Sequence, residues 1–343
     1  MSNKILHMNR RVMLSALGAS LGFAVLPGSL KAADPKKVAL IMVGSIADGG
    51  WNTLAYEGLV ALKESGDFDT AYVENLSQAR IPEVVRGYAD DGFDLIIGHG
   101  YEFGAAFEEI GTEYPEQSFF ATTFAPSGTI PANIQYADLA YVAVAYAAGA
   151  FAALISENGK SVGFVGGGDN PTQQAMGRAF VGGAEATREG LKGYSIVTGD
   201  YNNAAKGKEA ALTMIGNGAD VIWHAADVTG LGAIQGASSA GAKVIGCYAN
   251  QTSVAPDTMA TSFVMNLPWV VGELGRTLAD GSYSGGTEWK PTVTEAWSLS
   301  YGEGDDMSTI NSDLVSDEAY AEFEKILAQL SNGEIDLAKF SKG

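Results

Sequence analysis

Hydrophobic residues fall along this chain in two alternating rhythms. Short strand-like runs occupy 38–43, 70–74, 95–98 and 118–123, and a second set occupies 161–165, 194–198, 221–224 and 243–247. Nearly continuous Val/Ile/Leu runs of this length predict strands buried on both faces, as in parallel sheets. Between them lie helix-length amphipathic stretches at 53–64, 81–90, 101–113, 173–189 and 205–216. Strands alternating with helices imply right-handed βαβ units. The same plan used twice predicts an α/β fold of two doubly wound parallel-sheet lobes. The break between the series is expected in the turn-rich segment 126–132, Pro-Ser-Gly-Thr-Ile-Pro-Ala. A further strand at 261–266 and a helix at 268–280 follow the second series, so the chain is expected to cross back and form a multi-crossing hinge. The expected division is 36–125 with 252–288 in the first lobe, 126–251 with 289–310 in the second, and a helical segment over 311–343.

Length agrees with that picture: 343 residues correspond to about two domains at roughly 150 residues each. The 44 glycines cluster at the ends of apolar runs, where tight turns are needed. A net charge of −19 disfavours nucleic acid and anionic lipid as partners. The single cysteine, Cys247, lies inside an apolar run and reads as a buried small hydrophobe.

Residues 1–33 read as a signal peptide. Lys4, Arg10 and Arg11 precede an uncharged stretch over 12–27, and small residues stand at Ala32 and Ala33. The Arg10-Arg11 pair resembles a twin-arginine export signal. This segment holds four cations and no acids, so the remainder is four units more negative than the whole. No cysteine stands near the cleavage site to take a lipid anchor, and no later stretch has about 20 uncharged apolar residues. The expected product is a monomer free in a bacterial periplasm.

Ligands of doubly wound sheets sit beyond the carboxyl ends of the strands, and two facing lobes would share one cleft there. The first strand runs into Gly44-Ser45-Ile46-Ala47-Asp48-Gly49-Gly50-Trp51-Asn52. Here Ser45, Asp48, Trp51 and Asn52 are candidate contacts. Asp48 reads equally as a helix cap, and Trp51 as packing or as a platform for a flat ring. The third strand ends in His99, Tyr101 and Glu102, and Asn170 follows the fifth. The seventh ends in His224 and Asp227, and the eighth in Tyr248, Asn250 and Gln251. Two histidines on separate strand ends lack the spacing of a zinc site. No Gly-x-Ser-x-Gly elbow or phosphate loop occurs, and 163–168 lacks dinucleotide-loop spacing. Neutral amides, aromatics and scattered carboxylates point to binding without catalysis and without a cofactor.

These stretches carry a resemblance. DGGWNTLAYEG (48–58), GFDLIIGHG (92–100), VGFVGGGDNP (162–171), AKGKEA (205–210), GADVI (218–222), TGLG (229–232) and IGCYANQ (245–251) occur in the order of the basic membrane protein family of ABC-transporter substrate-binding proteins, which includes purine-nucleoside binders. The resemblance implies a type I periplasmic-binding fold, capture of a small-molecule solute in an interlobe cleft, and delivery to an inner-membrane ABC permease. Trp51 and Asn52 stand where the family usually places a stacking Phe and its Asn. Met176 stands where an opposing Phe is usual, Tyr248 and Asn250 replace two acids, and Gln251 matches. The expected ligand is therefore a purine nucleobase or nucleoside held between Trp51 and Met176. A sugar or other small polar solute, a sensory receptor of the same fold, and an enzyme using His99 or His224 as acid–base are the alternatives.

Overall fold

A computed structural model describes residues 34–341 other than Ala125 and Ser127. The proposed signal peptide, 1–33, lies outside the described residues. The first lobe opens with β1 (Lys36–Met42), α1 (Trp51–Ser65), β2 (Phe68–Val73), α2 (Ile81–Asp90), β3 (Leu95–His99), α3 (Phe103–Ile110), β4 (Ser118–Ala121) and β5 (Ile134–Ala137). The second contains α4 (Tyr141–Ile155), β6 (Ser161–Gly166), α5 (Pro171–Thr187), β7 (Lys192–Val197), α6 (Ala204–Gly216), β8 (Ala219–Ala225), α7 (Asp227–Ser239), β9 (Lys243–Tyr248) and β10 (Met259–Met265). There follow α8 (Leu267–Asp280), β11 (Thr287–Trp289), α9 (Val293–Ala296), β12 (Trp297–Ser300), α10 (Asp317–Ser331) and α11 (Ala338–Ser341).

The two sheets repeat one topology. Their strand orders are β11-β5-β4-β3-β1-β2 and β12-β10-β9-β8-β6-β7, so each strand of one has a counterpart in the other. All pairings are parallel except β10 with β12. The central strands β1, β3 and β6 carry almost wholly buried residues, as their unbroken apolar runs require. Helix α4 is apolar on every side, and nearly all of it is buried. It packs closely on α5: a side chain at Gly149 would strike the Phe180 carbonyl, and one at Gly183 the Tyr146 carbonyl.

Two boundaries differ from the sequence expectation. Segment 126–132 is not the crossing, because β5 still pairs with β4 in the first sheet. Its Pro and Gly residues form a loop within the lobe. Strand β10 does not return to the first lobe; it pairs with β9 over Met259–Val264 in the second sheet. An apolar run announces a strand, but not which edge receives it. The return begins at α8, which packs on α1 through Gly58, where a Cβ would lie 2.7 Å from Val271 Cβ.

The chain thus passes between lobes three times, at 138–140, at Asn266 and at 290–292, and hydrogen bonds tie the passages together. The Asp138 amide donates to the Trp289 carbonyl at 3.0 Å, the Asn266 amide to Ala296 at 2.9 Å, and the Trp297 indole N–H to Leu139 at 2.7 Å. Ala140 takes a left-handed conformation (φ 58°) within the first passage.

Candidate functional site

A cavity of about 90 Å³ opens where the carboxyl ends of the two sheets face each other. The first lobe contributes the ends of β1 and β3 and the loops after them. The second contributes the loops after β6, β7, β8 and β9, and Tyr141 of α4 lies at the first crossing.

The loop after β1 is built around Asp48. Its Oδ1 accepts from the Gly50 amide (2.9 Å), the Thr53 amide (3.1 Å) and the Thr53 hydroxyl (2.9 Å). Its Oδ2 accepts from the Asn52 amide (2.9 Å) and the Asn52 side-chain Nδ2 (2.7 Å). Asp48 therefore satisfies the open amides of the first turn of α1 and fixes Trp51 and Asn52 at its start. Gly44 makes room for the Asn52 amide, since a Cβ there would run into it. With Nδ2 committed to a carboxylate, Asn52 Oδ1 is an acceptor, and it is buried without a partner.

Trp51 is backed by His99, their rings stacked at 4.0 Å and 19°. His99 Nε2 lies 3.0 Å from the Trp51 carbonyl, which can only accept, so Nε2 carries the proton. Nδ1 is then a lone pair, buried and unpartnered. Burial lowers the imidazole pKa to about 4, keeping it neutral. Tyr248 (5.4 Å) and Tyr141 (6.1 Å) stand tilted to the indole. Tyr101 and Glu102 line the same wall.

In the second lobe Asn170 caps α5, its Oδ1 accepting from the Gln173 amide at 3.0 Å and its Nδ2 donating to the Tyr201 hydroxyl at 3.1 Å. Side chains at Gly167 and Gly168 would collide with the Tyr201 ring, so this glycine pair exists to seat an aromatic. Asp227 opens α7 with φ 48°, and Tyr248 ends β9 with φ 71°. Both are left-handed non-glycine residues, both line the cavity, and such backbone strain costs about 1–3 kcal/mol and concentrates at functional sites. Asp227 Oδ1 has no hydrogen-bond partner. Burial, with the charges of Asp48 and Glu102 nearby, raises the Asp227 carboxyl well above its ordinary range. Burial likewise raises Glu102. Neither lysine nor arginine lines the cavity.

Nine sequence candidates meet here: Asp48, Trp51, Asn52, His99, Tyr101, Glu102, Asn170, Asp227 and Tyr248. Five do not line it. Ser45 accepts from the Ala47 amide at 3.2 Å in an exposed turn. Met176 is fully buried in the core beneath α5, so no sandwich forms between it and Trp51. The residues of α5 that reach the cavity are Thr172 and Gln173, about one turn nearer its start. His224 Nε2 donates to Gln251 Oε1 at 2.9 Å, and the same oxygen accepts from the Cys247 amide at 2.9 Å. Gln251 and His224 therefore brace the ends of β8 and β9. Asn250 donates to the Gly302 carbonyl at 2.8 Å and accepts from Thr252. Tyr201 and Asn202 join the cavity without having been singled out in the sequence. Their signal in the sequence is their place after β7, another strand end.

Among the described residues no helix is long and apolar enough to cross a membrane. The chain is 28% identical over 229 residues to basic membrane protein A of Borreliella afzelii, covering 66% of this chain and 70% of that one. It is 23% identical over 252 residues to the transcriptional activator protein med of Bacillus subtilis, covering 73% and 77%. The fold matches an ABC transporter system solute-binding protein from Aeropyrum pernix K1 at a TM-score of 0.78, with 21% identity over 88% of this chain and 93% of that one. Residues 35–322 match the family described as Bmp, ABC transporter substrate-binding protein, PnrA-like, and the chain belongs to that family of solute-binding proteins.

Proposed function

We propose that the protein captures a purine nucleobase or nucleoside outside the cytoplasmic membrane and passes it, chemically unchanged, to an ABC permease. The observation that carries this reading is the cavity wall: aromatic rings from both lobes, amides and carboxylates between them, and no cationic side chain. A phosphate or carboxylate ligand would meet Glu102 and Asp227 with nothing to balance its charge. A flat uncharged heterocycle rich in N–H groups stacks on Trp51 and donates to the amides and carboxylates. Closure of the lobes about the three crossings gives the permease a distinct surface to recognise.

Titration calorimetry with guanosine, adenosine and D-glucose tests it. Purine binding is expected, with the Trp51→Ala variant weaker by about tenfold through loss of ring stacking. Binding of glucose with no purine response would end the reading. Mass analysis of the recovered solute is expected to return it intact.

A further inference from the structure

The cavity wall holds enclosed acceptor atoms that nothing else in the protein satisfies. Three buried atoms of lining residues have no partner: Asn52 Oδ1, His99 Nδ1 and Asp227 Oδ1. Asn52 is 4% exposed and His99 wholly buried. Asn52 Oδ1 and His99 Nδ1 are acceptors, assignments forced by their neighbours, and Asp227 Oδ1 is an acceptor once its carboxyl is ionised. Asn52 Nδ2 faces a carboxylate and His99 Nε2 faces a carbonyl, and neither of those can donate in return. Donors of the wall, among them the Trp51 indole N–H and the Gln173 side-chain amide, are not enclosed in this way. Buried acceptors without partners are costly, and at the cavity wall a ligand can supply the donors.

We infer that Asp227, with Asn52 and His99, selects a ligand edge of adjacent N–H donors, so that among purines the site prefers the 2-amino-6-oxo edge of guanine to the edges of hypoxanthine and adenine. This rests on the solute-binding reading above. A carboxylate accepts two parallel N–H bonds side by side. Guanine presents N1–H beside its 2-amino group. Hypoxanthine lacks the amino group, and adenine turns a lone pair toward the carboxylate at N1. The groups facing Asp227 are Asp48, Glu102, Tyr201, Tyr248 and Cys247, and none is a cation. The donors that stabilise the ionised carboxylate must therefore come from the ligand. Guanosine affinity is accordingly expected to rise with pH as Asp227 ionises, and adenosine affinity, which needs the protonated acid to serve N1, to fall.

The test is calorimetry on the full chain with guanosine, inosine, adenosine and benzamidine, an amidinium with the same donor pair. Guanosine is expected to bind at least about tenfold tighter than inosine, and Asp227→Asn to remove about tenfold or more of that affinity without weakening adenosine. Asparagine tolerates the left-handed backbone at this position, so the variant is expected to keep its melting temperature. Should it not fold, the guanosine-to-inosine ratio of the native protein decides alone. Guanosine and inosine binding within about twofold of each other would overturn the inference and leave the purine reading standing. Benzamidine binding that needs Asp227, with no purine bound, would keep the donor-pair assignment and end the purine reading. Failure of all four probes to bind would overturn both.

Discussion

His99 and His224 occupy matching places in the two lobes, at the carboxyl ends of β3 and β8, which hold the same position in their sheets. Both rings are fully buried, both are held near pKa 4 by desolvation, and both leave Nδ1 unpartnered. Yet His99 lines the cavity and supports Trp51, whereas His224 is tied to Gln251 under the loop after β9. What separates them is the residue that follows in space. Gly230 of α7 comes so close to the His224 ring that a Cβ there would overlap Nδ1. The second-lobe histidine is thus roofed by a helix, and its counterpart is roofed by the indole that lines the cavity. Duplicated topology reproduces burial and protonation, but the side-chain neighbours decide which copy serves the site.

The largest expected effect is one the two rings share. An imidazole in the unfolded chain takes its proton near pH 6.5, and in the folded protein only near pH 4. Between those values the unfolded chain holds more protons, so stability rises with pH across the window and is lost on acidification. Each ring accounts for something on the order of 3 kcal/mol. Asp227 and Glu102 act in the opposite sense, because their raised folded pKa values favour the folded state at low pH. Urea titrations at pH 7 and pH 4.5 are expected to show net loss at the lower pH. His224→Gln is expected to flatten that dependence, since the amide keeps a donor for Gln251 and has no proton to gain. An unaltered pH dependence in His224→Gln would mean that this ring is not held neutral by the fold.

Truncation is expected to separate the pair. His224→Ala empties a core position and strands Gln251 Oε1, at a cost of about 3 kcal/mol in unfolding free energy. Its guanosine affinity is expected to stay within about twofold of native. His99→Ala is expected to cost about 2 kcal/mol and, by releasing Trp51, about tenfold in guanosine affinity. Chemical denaturation and calorimetry on both variants check this. Equal losses of affinity would show that the cavity does not distinguish the two histidines.

Much of this arrangement is legible in the sequence, for definable reasons. Buried parallel strands have to be continuously apolar, so β1, β3, β6, β8 and β9 announce themselves, and the fold places their ends at a cleft. Trp51, His99 and Tyr248 are found in this way. Sheet partners are less legible: β10 carries Thr261 and Ser262 in a buried position, and what accepts them is the edge of β9, not anything local. Depth along a helix is equally hidden. Gln173 and Met176 lie on one side of α5, yet one reaches the cavity and the other the core. The orphan acceptors were out of reach altogether, because they depend on which atom of Asn52 and which nitrogen of His99 a neighbour has already claimed.

The smallest effect is expected two residues beyond Tyr248, and it sharpens the distinction between lining a site and bracing it. Asn250 stands beside the cavity in sequence, but its Nδ2 donates to Gly302 and its Oδ1 accepts from the amide and hydroxyl of Thr252. Those bonds hold the loop after β9 against the segment following β12, as Gln251 holds the same loop against His224. Asn250→Ala removes hydrogen bonds that are partly open to solvent, so a loss of about 1 kcal/mol is expected. With no side-chain atom in the cavity wall, its guanosine affinity is expected to remain within about twofold of native. Tyr248→Ala provides the contrast, because that ring lines the cavity 5.4 Å from Trp51 and packs 5.9 Å from Trp297 behind it. Its loss is expected to weaken guanosine by about tenfold. Melting temperatures and calorimetry on the two variants read stability and affinity separately. A larger affinity loss in Asn250→Ala than in Tyr248→Ala would mean that the loop's position, rather than the ring it presents, governs recognition.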